Sequence, residues 1–288
     1  MSTSESIIQC QHLQKSFQQK AVLSDISFSI SKGQIFGLLG PSGAGKTTLI
    51  KILTGQLSPD GGSVTVFGKK LETLTGEDKR EMGIMMDQFG LYERLTCADN
   101  LNIYADIYGI SHRSAADTLA AVGLADSLKK PAACLSKGMT ARLKLARAFI
   151  HSPEILFLDE PTSGLDPASM QMIHQLILKK KQEGCTIFLT THNMEEAASL
   201  CDTVALLNDG VIVNQGAPDE LCRRYNYQKQ LLLHLSDGKD ITLPQSGSSA
   251  ESLYTLLKEE QIITIHSSEP TLETVFLELT GKSLQEAE

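Results

Sequence analysis

Positive charge is scarce in this sequence. Lys and Arg number 26 against 34 Asp and Glu, a net charge of −8. Such a balance is unsuited to neutralising a nucleic-acid backbone, so no nucleic-acid partner is expected. Binding of a single nucleotide stays open, because backbone N–H groups can hold phosphate locally. Long apolar runs are missing too. None approaches the ~20 residues of a membrane-spanning helix. Met1 to Ser6 are polar, so no secretory leader is expected. Cys10, Cys97, Cys134, Cys185, Cys201 and Cys222 include no CxxC pair. They are expected to be reduced packing residues of a cytosolic protein. The seven histidines show no H-x3-H spacing, which argues against a structural metal. What remains is ordinary globular composition, 41% apolar and 21% charged, over 288 residues. That allows one large domain or two smaller ones.

The pattern along the chain is mixed. Residues 7–12, 21–30 and 34–39 read as strands. Residues 47–55 read as a helix closed by Gly55. A Ser-Pro-Asp-Gly-Gly turn at 58–62 leads to a strand at 63–67, a charged connector at 77–80 and a strand at 83–87. Residues 96–150 are helical in pattern, with helices at 97–108, 114–122 and 137–151. Strands at 155–158, 186–190, 203–208 and 210–216 then alternate with helices at 168–183 and 194–201. This order implies an α/β fold around a parallel sheet, interrupted by a helical insert. From about 225 the pattern restarts as a small α/β module, with strands at 230–235, 240–243 and 262–266 and helices at 252–261 and 271–279.

Gly40-Pro41-Ser42-Gly43-Ala44-Gly45-Lys46-Thr47 fits G-x-x-x-x-G-K-[ST], between an apolar strand and a helix that continues through Thr48. Glycines let the loop backbone curl so that its N–H groups converge on phosphate oxygens. The helix N-terminus adds favourable charge. Lys46 is expected on the β- and γ-phosphates and the Thr47 hydroxyl on Mg²⁺. A second element, Ile155-Leu-Phe-Leu-Asp159-Glu160, is an apolar strand ending in two carboxylates. In a parallel sheet that end faces the ligand. Asp159 suits the Mg²⁺ hydration shell, and Glu160 suits orienting or deprotonating a water.

With these residues in hand, the chain resembles the nucleotide-binding subunit of ATP-binding cassette (ABC) transporters over residues 7–220. The resemblance adds further motifs in the family's order. Phe17 stands where the family stacks an aromatic on adenine. Gln88 matches the glutamine that reaches Mg²⁺ and the membrane partner. Leu135-Ser136-Lys137-Gly138-Met139 matches the signature loop, usually LSGGQ. Asp166, in Ser163-Gly-Leu-Asp166, matches the loop after the carboxylates. His192, in Leu189-Thr-Thr-His192, matches the switch histidine on the γ-phosphate. Lys137 and Met139 depart from the usual signature, while Ser136 and Gly138 keep the hydroxyl and N–H that bind γ-phosphate. Lys137 either adds charge near that phosphate or faces solvent, and the second is favoured.

The resemblance implies a P-loop NTPase (RecA-like) core with an antiparallel β subdomain, a helical subdomain at about 90–150 and a C-terminal extension. The expected division is an ATPase domain at 1–224 and an accessory domain at 225–288. It also implies ATP and Mg²⁺ as cofactors, with Glu160 and His192 catalytic. The implied partners are a second copy of the chain, or a homologous ATPase subunit, and integral membrane permease subunits. Two ATP molecules would lie between the phosphate loop of one copy and Ser136 to Gly138 of the other. The expected location is the cytoplasmic face of a bacterial membrane. The ending Glu269-Pro-Thr-Leu-Glu-Thr-Val-Phe-Leu-Glu-Leu-Thr280 resembles type-two exporter ATPases and favours export of a drug, antibiotic, peptide or lipid-like molecule. The alternative is a non-transport ABC ATPase that regulates a membrane complex. A GTPase is disfavoured because no N-K-x-D motif occurs.

Overall fold

The computed structural model describes residues 6–18, 20–86, 90–227 and 229–281. Its central sheet runs Val211–Gly216, Thr203–Asn208, Ile35–Leu39, Thr186–Thr191, Ile155–Asp159, Met82–Met85. Neighbours are parallel except Val211–Gly216 with Thr203–Asn208. Strands covered on both faces are apolar at successive positions. Ile35–Leu39 and Thr186–Thr191 are accordingly buried throughout. Register then places the functional ends together. Leu39 pairs with Thr191 and Asp159 with Thr190. The turn after Leu39, the carboxylates after Leu158 and the histidine after Thr191 therefore leave the sheet along one C-terminal edge. That edge is where open α/β sheets bind ligands.

A second, antiparallel sheet is ordered Lys20–Ser31, Ser6–Phe17, Gly61–Val66, Lys69–Lys70. Its first hairpin is longer than the sequence pattern suggests. The register shifts between Cys10 and Leu13. Around that shift His12 (φ 52°) and Asp25 (φ 82°) take left-handed conformations, and His12 Nδ1 lies 2.7 Å from Asp25 Oδ1. A bulge of this kind breaks the two-residue alternation by which a strand is read. Phe28 of this sheet stacks on Phe36 of the central one at 5.0 Å, and Phe36 on Phe188 at 5.7 Å. These rings fill a core shared by the two sheets.

The stretch 96–150 carries the helices Cys97–Tyr108, Arg113–Ala121 and Lys137–Phe149. Thr96 and Asp99 form a capping box at the first, and Ser136 caps the third. The connector expected at 77–80 is a short helix, Gly76–Arg80, started by a Thr75/Asp78 capping box. Pro218–Arg224, not anticipated, is a helix with Pro in its first turn.

A third sheet, Asp240–Pro244, Gln230–Leu235, Ile262–Ser267, carries the helix Ala250–Lys258. The final helix, Leu272–Thr280, returns to the larger body. Its Leu272, Val275 and Phe276 are buried in one cluster with Met194, Ala197, Leu200 and Leu221. Among the described residues, no helix is long and apolar enough to cross a membrane.

Candidate active site at the sheet edge

Residues 40–45 link Ile35–Leu39 to the helix Lys46–Leu53. The loop needs glycine at two kinds of position. Gly43 (φ 80°) and Gly45 (φ 109°) are left-handed. Gly40 is closely approached: a Cβ there would lie 2.3 Å from Leu207 O. Pro41 O accepts the Ala44 N–H at 3.2 Å, and Ala44 is buried in the core. Ser42, Gly43, Gly45, Lys46, Thr47, Thr48, Val22 and Glu160 line a cavity of about 280 Å³.

The charged groups at that cavity are mutually engaged. The Lys46 ammonium donates to Gly40 O at 2.7 Å and Pro41 O at 3.1 Å. It also meets Glu160 Oε1 at 3.1 Å, with only 5% of its side chain exposed. Glu160 Oε2 lies 3.0 Å from His192 Nδ1, so one carboxylate bridges the lysine and the histidine. Glu160 takes φ 47°, a sparsely populated region for a non-glycine residue that costs on the order of 1–3 kcal/mol. Its N–H donates to Thr190 O at 3.0 Å, which fixes that turn against the neighbouring strand. Thr47 Oγ1 donates to Asp159 Oδ2 at 2.8 Å, and Asp159 Oδ1 accepts from the Thr190 hydroxyl. A hydroxyl and a carboxylate are hard oxygen donors. They match the sparse protein ligation Mg²⁺ takes when phosphates and waters supply the rest.

The other expected residues lie further out. Phe17 ends its strand 46% exposed and does not line the cavity. The Lys15 ammonium sits 5.5 Å from its ring centroid and 2.6 Å from Asp60 Oδ1. Asp60 also accepts the Ser16 N–H, and these bonds, the lysine's foremost, hold its carboxyl below the usual range. The sequence reading missed this Lys15–Asp60 support; a lysine two residues before an expected ring was its only signal. Gln88 lies outside the described residues.

Ser136 Oγ accepts from Met139 N at 3.3 Å, capping Lys137–Phe149. Gly138 is pressed against the next helix, where a Cβ would meet Ser169 Oγ at 2.2 Å. Asp166 caps that helix, Pro167–Gln182, accepting from Ser169 N at 3.0 Å and Ser169 Oγ at 2.6 Å. Those bonds from Ser169 lower its pKa. Lys137 is exposed and lines a second cavity of about 320 Å³ with Thr140, Lys144 and Ser163, which adjoins the first at Glu160, a lining residue of both. No residue from 40–48 lines that second cavity, and neither Ser136 nor Gly138 lines the first. Sequence reading also passed over Glu196, a buried carboxylate that accepts from Thr162 and Thr191. Its only local mark is its place three residues after the capping Asn193.

Comparison with known proteins gives the family. The ABC transporter family model matches residues 23–163. A fluoroquinolones export ATP-binding protein of Mycobacterium tuberculosis is 40% identical over 263 residues, 90% of this chain and 87% of that one. A linearmycin resistance ATP-binding protein of Bacillus subtilis is 32% identical over 97% of this chain and its own full length. A solved ATP-binding subunit of an ABC transporter superposes with a TM-score of 0.68 at 26% identity, covering 88% of this chain and 99% of that one. The phosphate loop, the paired carboxylates and the similarity along nearly the whole chain together place it among the ATP-binding subunits of ABC transporters, the ATPases of that family.

Proposed function

We propose that this chain drives export of a drug-like, antibiotic, peptide or lipid-like molecule by hydrolysing ATP with Mg²⁺. The observation that carries the catalytic part is the convergence of Lys46, Thr47, Asp159, Glu160 and His192 along one sheet edge. Export is supported by the fluoroquinolones export relative, and an antibiotic as cargo by the linearmycin resistance relative, both similar over most of this chain.

The residues divide the work as follows. N–H groups of the phosphate loop and of the first turn of Lys46–Leu53 bind phosphate oxygens. The Lys46 ammonium, paired with Glu160 Oε1, turns to the β- and γ-phosphates. Glu160 is then free of its cation and accepts the proton of the attacking water. His192, against Glu160 Oε2, orients that water and the γ-phosphate. Thr47 and Asp159 would hold Mg²⁺, which when bound would supply charge neutralisation for the transferred phosphoryl group. Phe17 offers its exposed face to adenine.

Ser136 and Gly138 match the family's signature loop and do not line the phosphate-loop cavity of their own chain, a placement that fits a head-to-tail pair of chains. In that pair each copy closes the other's nucleotide site with Ser136, Gly138 and Asp166. Membrane subunits dock on the helical region 90–150, at the cytoplasmic face. Residues 1–224 act as the ATPase domain and 225–288 as an accessory domain anchored on it through Leu272–Thr280. The test is Glu160→Gln, which removes the carboxylate's charge and its basicity and keeps the side chain's shape. ATP binding by calorimetry should persist while phosphate release falls at least a hundredfold. Release within twofold of the native rate would overturn the role of Glu160.

A further inference from the structure

We propose that Glu196 is a positioning residue for ATP hydrolysis, acting through His192 by tying Thr191 to the loop that follows Glu160. The proposal rests on the functional reading above and extends it to a group outside the phosphate-loop cavity.

The observation is a buried carboxylate with donors from three segments. Glu196 lies on the helix Met194–Leu200, and none of its side chain is exposed. Oε1 accepts from Thr162 Oγ1 at 2.6 Å and faces His174 Nε2 at 3.0 Å. Oε2 accepts from Thr191 Oγ1 at 2.7 Å. Facing a carboxylate oxygen, Nε2 is the imidazole nitrogen that carries the proton. Thr191 Oγ1 in turn accepts the Asn193 N–H at 3.0 Å, and Asn193 Oδ1 accepts the Glu196 N–H at 3.0 Å. Thr162 and Thr191 are themselves buried.

Each donor belongs to a functional segment. Thr191 immediately precedes His192, the partner of Glu160. Thr162 is two residues beyond Glu160. His174 is on Pro167–Gln182, whose Asp166/Ser169 cap abuts Gly138. One carboxylate thus joins the histidine, the loop at 161–166 and the helix that packs against the signature loop. Burying a carboxylate is costly unless its oxygens are hydrogen-bonded. A fully bonded buried network rigidifies its members in a single arrangement. An apolar residue would fill the space without fixing the directions of three hydroxyl and imidazole donors.

Glu196→Gln keeps the shape but replaces one accepting oxygen with an NH₂ that cannot accept. Steady-state ATPase of the full-length chain should show kcat down at least tenfold and KM within twofold, with nucleotide-binding stoichiometry unchanged by calorimetry. If Glu196 acts through His192, adding Glu196→Gln to His192→Ala should change the single-turnover rate by less than twofold. Thr191→Val, which removes one donor and leaves the carboxylate, should show the same lack of additivity and guards against misfolding of the first variant. A native-like kcat in Glu196→Gln, or a full tenfold loss retained on His192→Ala, overturns the proposal. A native chain that binds ATP and does not hydrolyse it overturns the functional reading first, and this proposal with it.

Discussion

Replacing Lys46 with alanine removes a cation that is 95% withdrawn from solvent and held by two loop carbonyls and Glu160. A charge-assisted hydrogen bond contributes about 1.5–3 kcal/mol. ATP affinity by calorimetry is therefore expected to fall roughly 10–150-fold in Lys46→Ala; unchanged affinity would remove the loop from nucleotide binding. At this scale the sequence was legible where chemistry is local. Residues 40–47 are contiguous, so spacing alone names their job. Asp159 and Glu160 could be named from their place at a strand end, and His192 through the resemblance. What faces them could not. Glu160 meets Lys46 across 114 positions of chain, and Glu196 collects Thr162, His174 and Thr191 only once the helices and strands are packed.

Elements carry a different kind of expectation. His151 follows the helix Lys137–Phe149 and stacks on Tyr108 of Cys97–Tyr108, centroids 3.8 Å apart and planes 8° from parallel. Burial pushes its pKa down to about 4, a shift only partly offset by its contact with Met82 O. Its folded pKa lies below its unfolded value near 6.5. The unfolded chain thus binds a proton there that the folded chain refuses. Stability from this site is present above pH 6.5, falls as pH drops towards 4, and levels off below. His151→Phe keeps the stacked ring without the titration, so its melting temperature should fall less between pH 7 and pH 4 than the native one. Parallel curves would contradict that. Pro167–Gln182 is readable because its apolar period and its Asp166 cap agree, and Ile155–Asp159 because a short unbroken apolar run ends in carboxylates. The first hairpin was read short because the His12/Asp25 bulge hides the alternation. Gly76–Arg80 was read as a connector because five charged and small residues have no apolar stripe; its capping box alone starts it. The final helix Leu272–Thr280 showed an apolar face, but its partners, Leu200 and Leu221 among them, come from the larger body and leave no trace in spacing.

At the scale of the whole molecule, the phosphate loop with Glu160 and His192 forms one proposed site and Ser136 with Gly138 another, and the helix Pro167–Gln182 joins the second to the buried Glu196 network. Two such chains placed head to tail would complete two nucleotide sites, and ATP would bind them together. Removing γ-phosphate would release them, a population shift set by the different affinity of each state for the nucleotide. The most direct measurement is sedimentation velocity of the Glu160→Gln chain with and without MgATP. The account predicts monomer without nucleotide and a dimer holding two ATP with it, reverting to monomer with MgADP. A chain that stays monomeric at saturating MgATP, while binding it, would contradict the account.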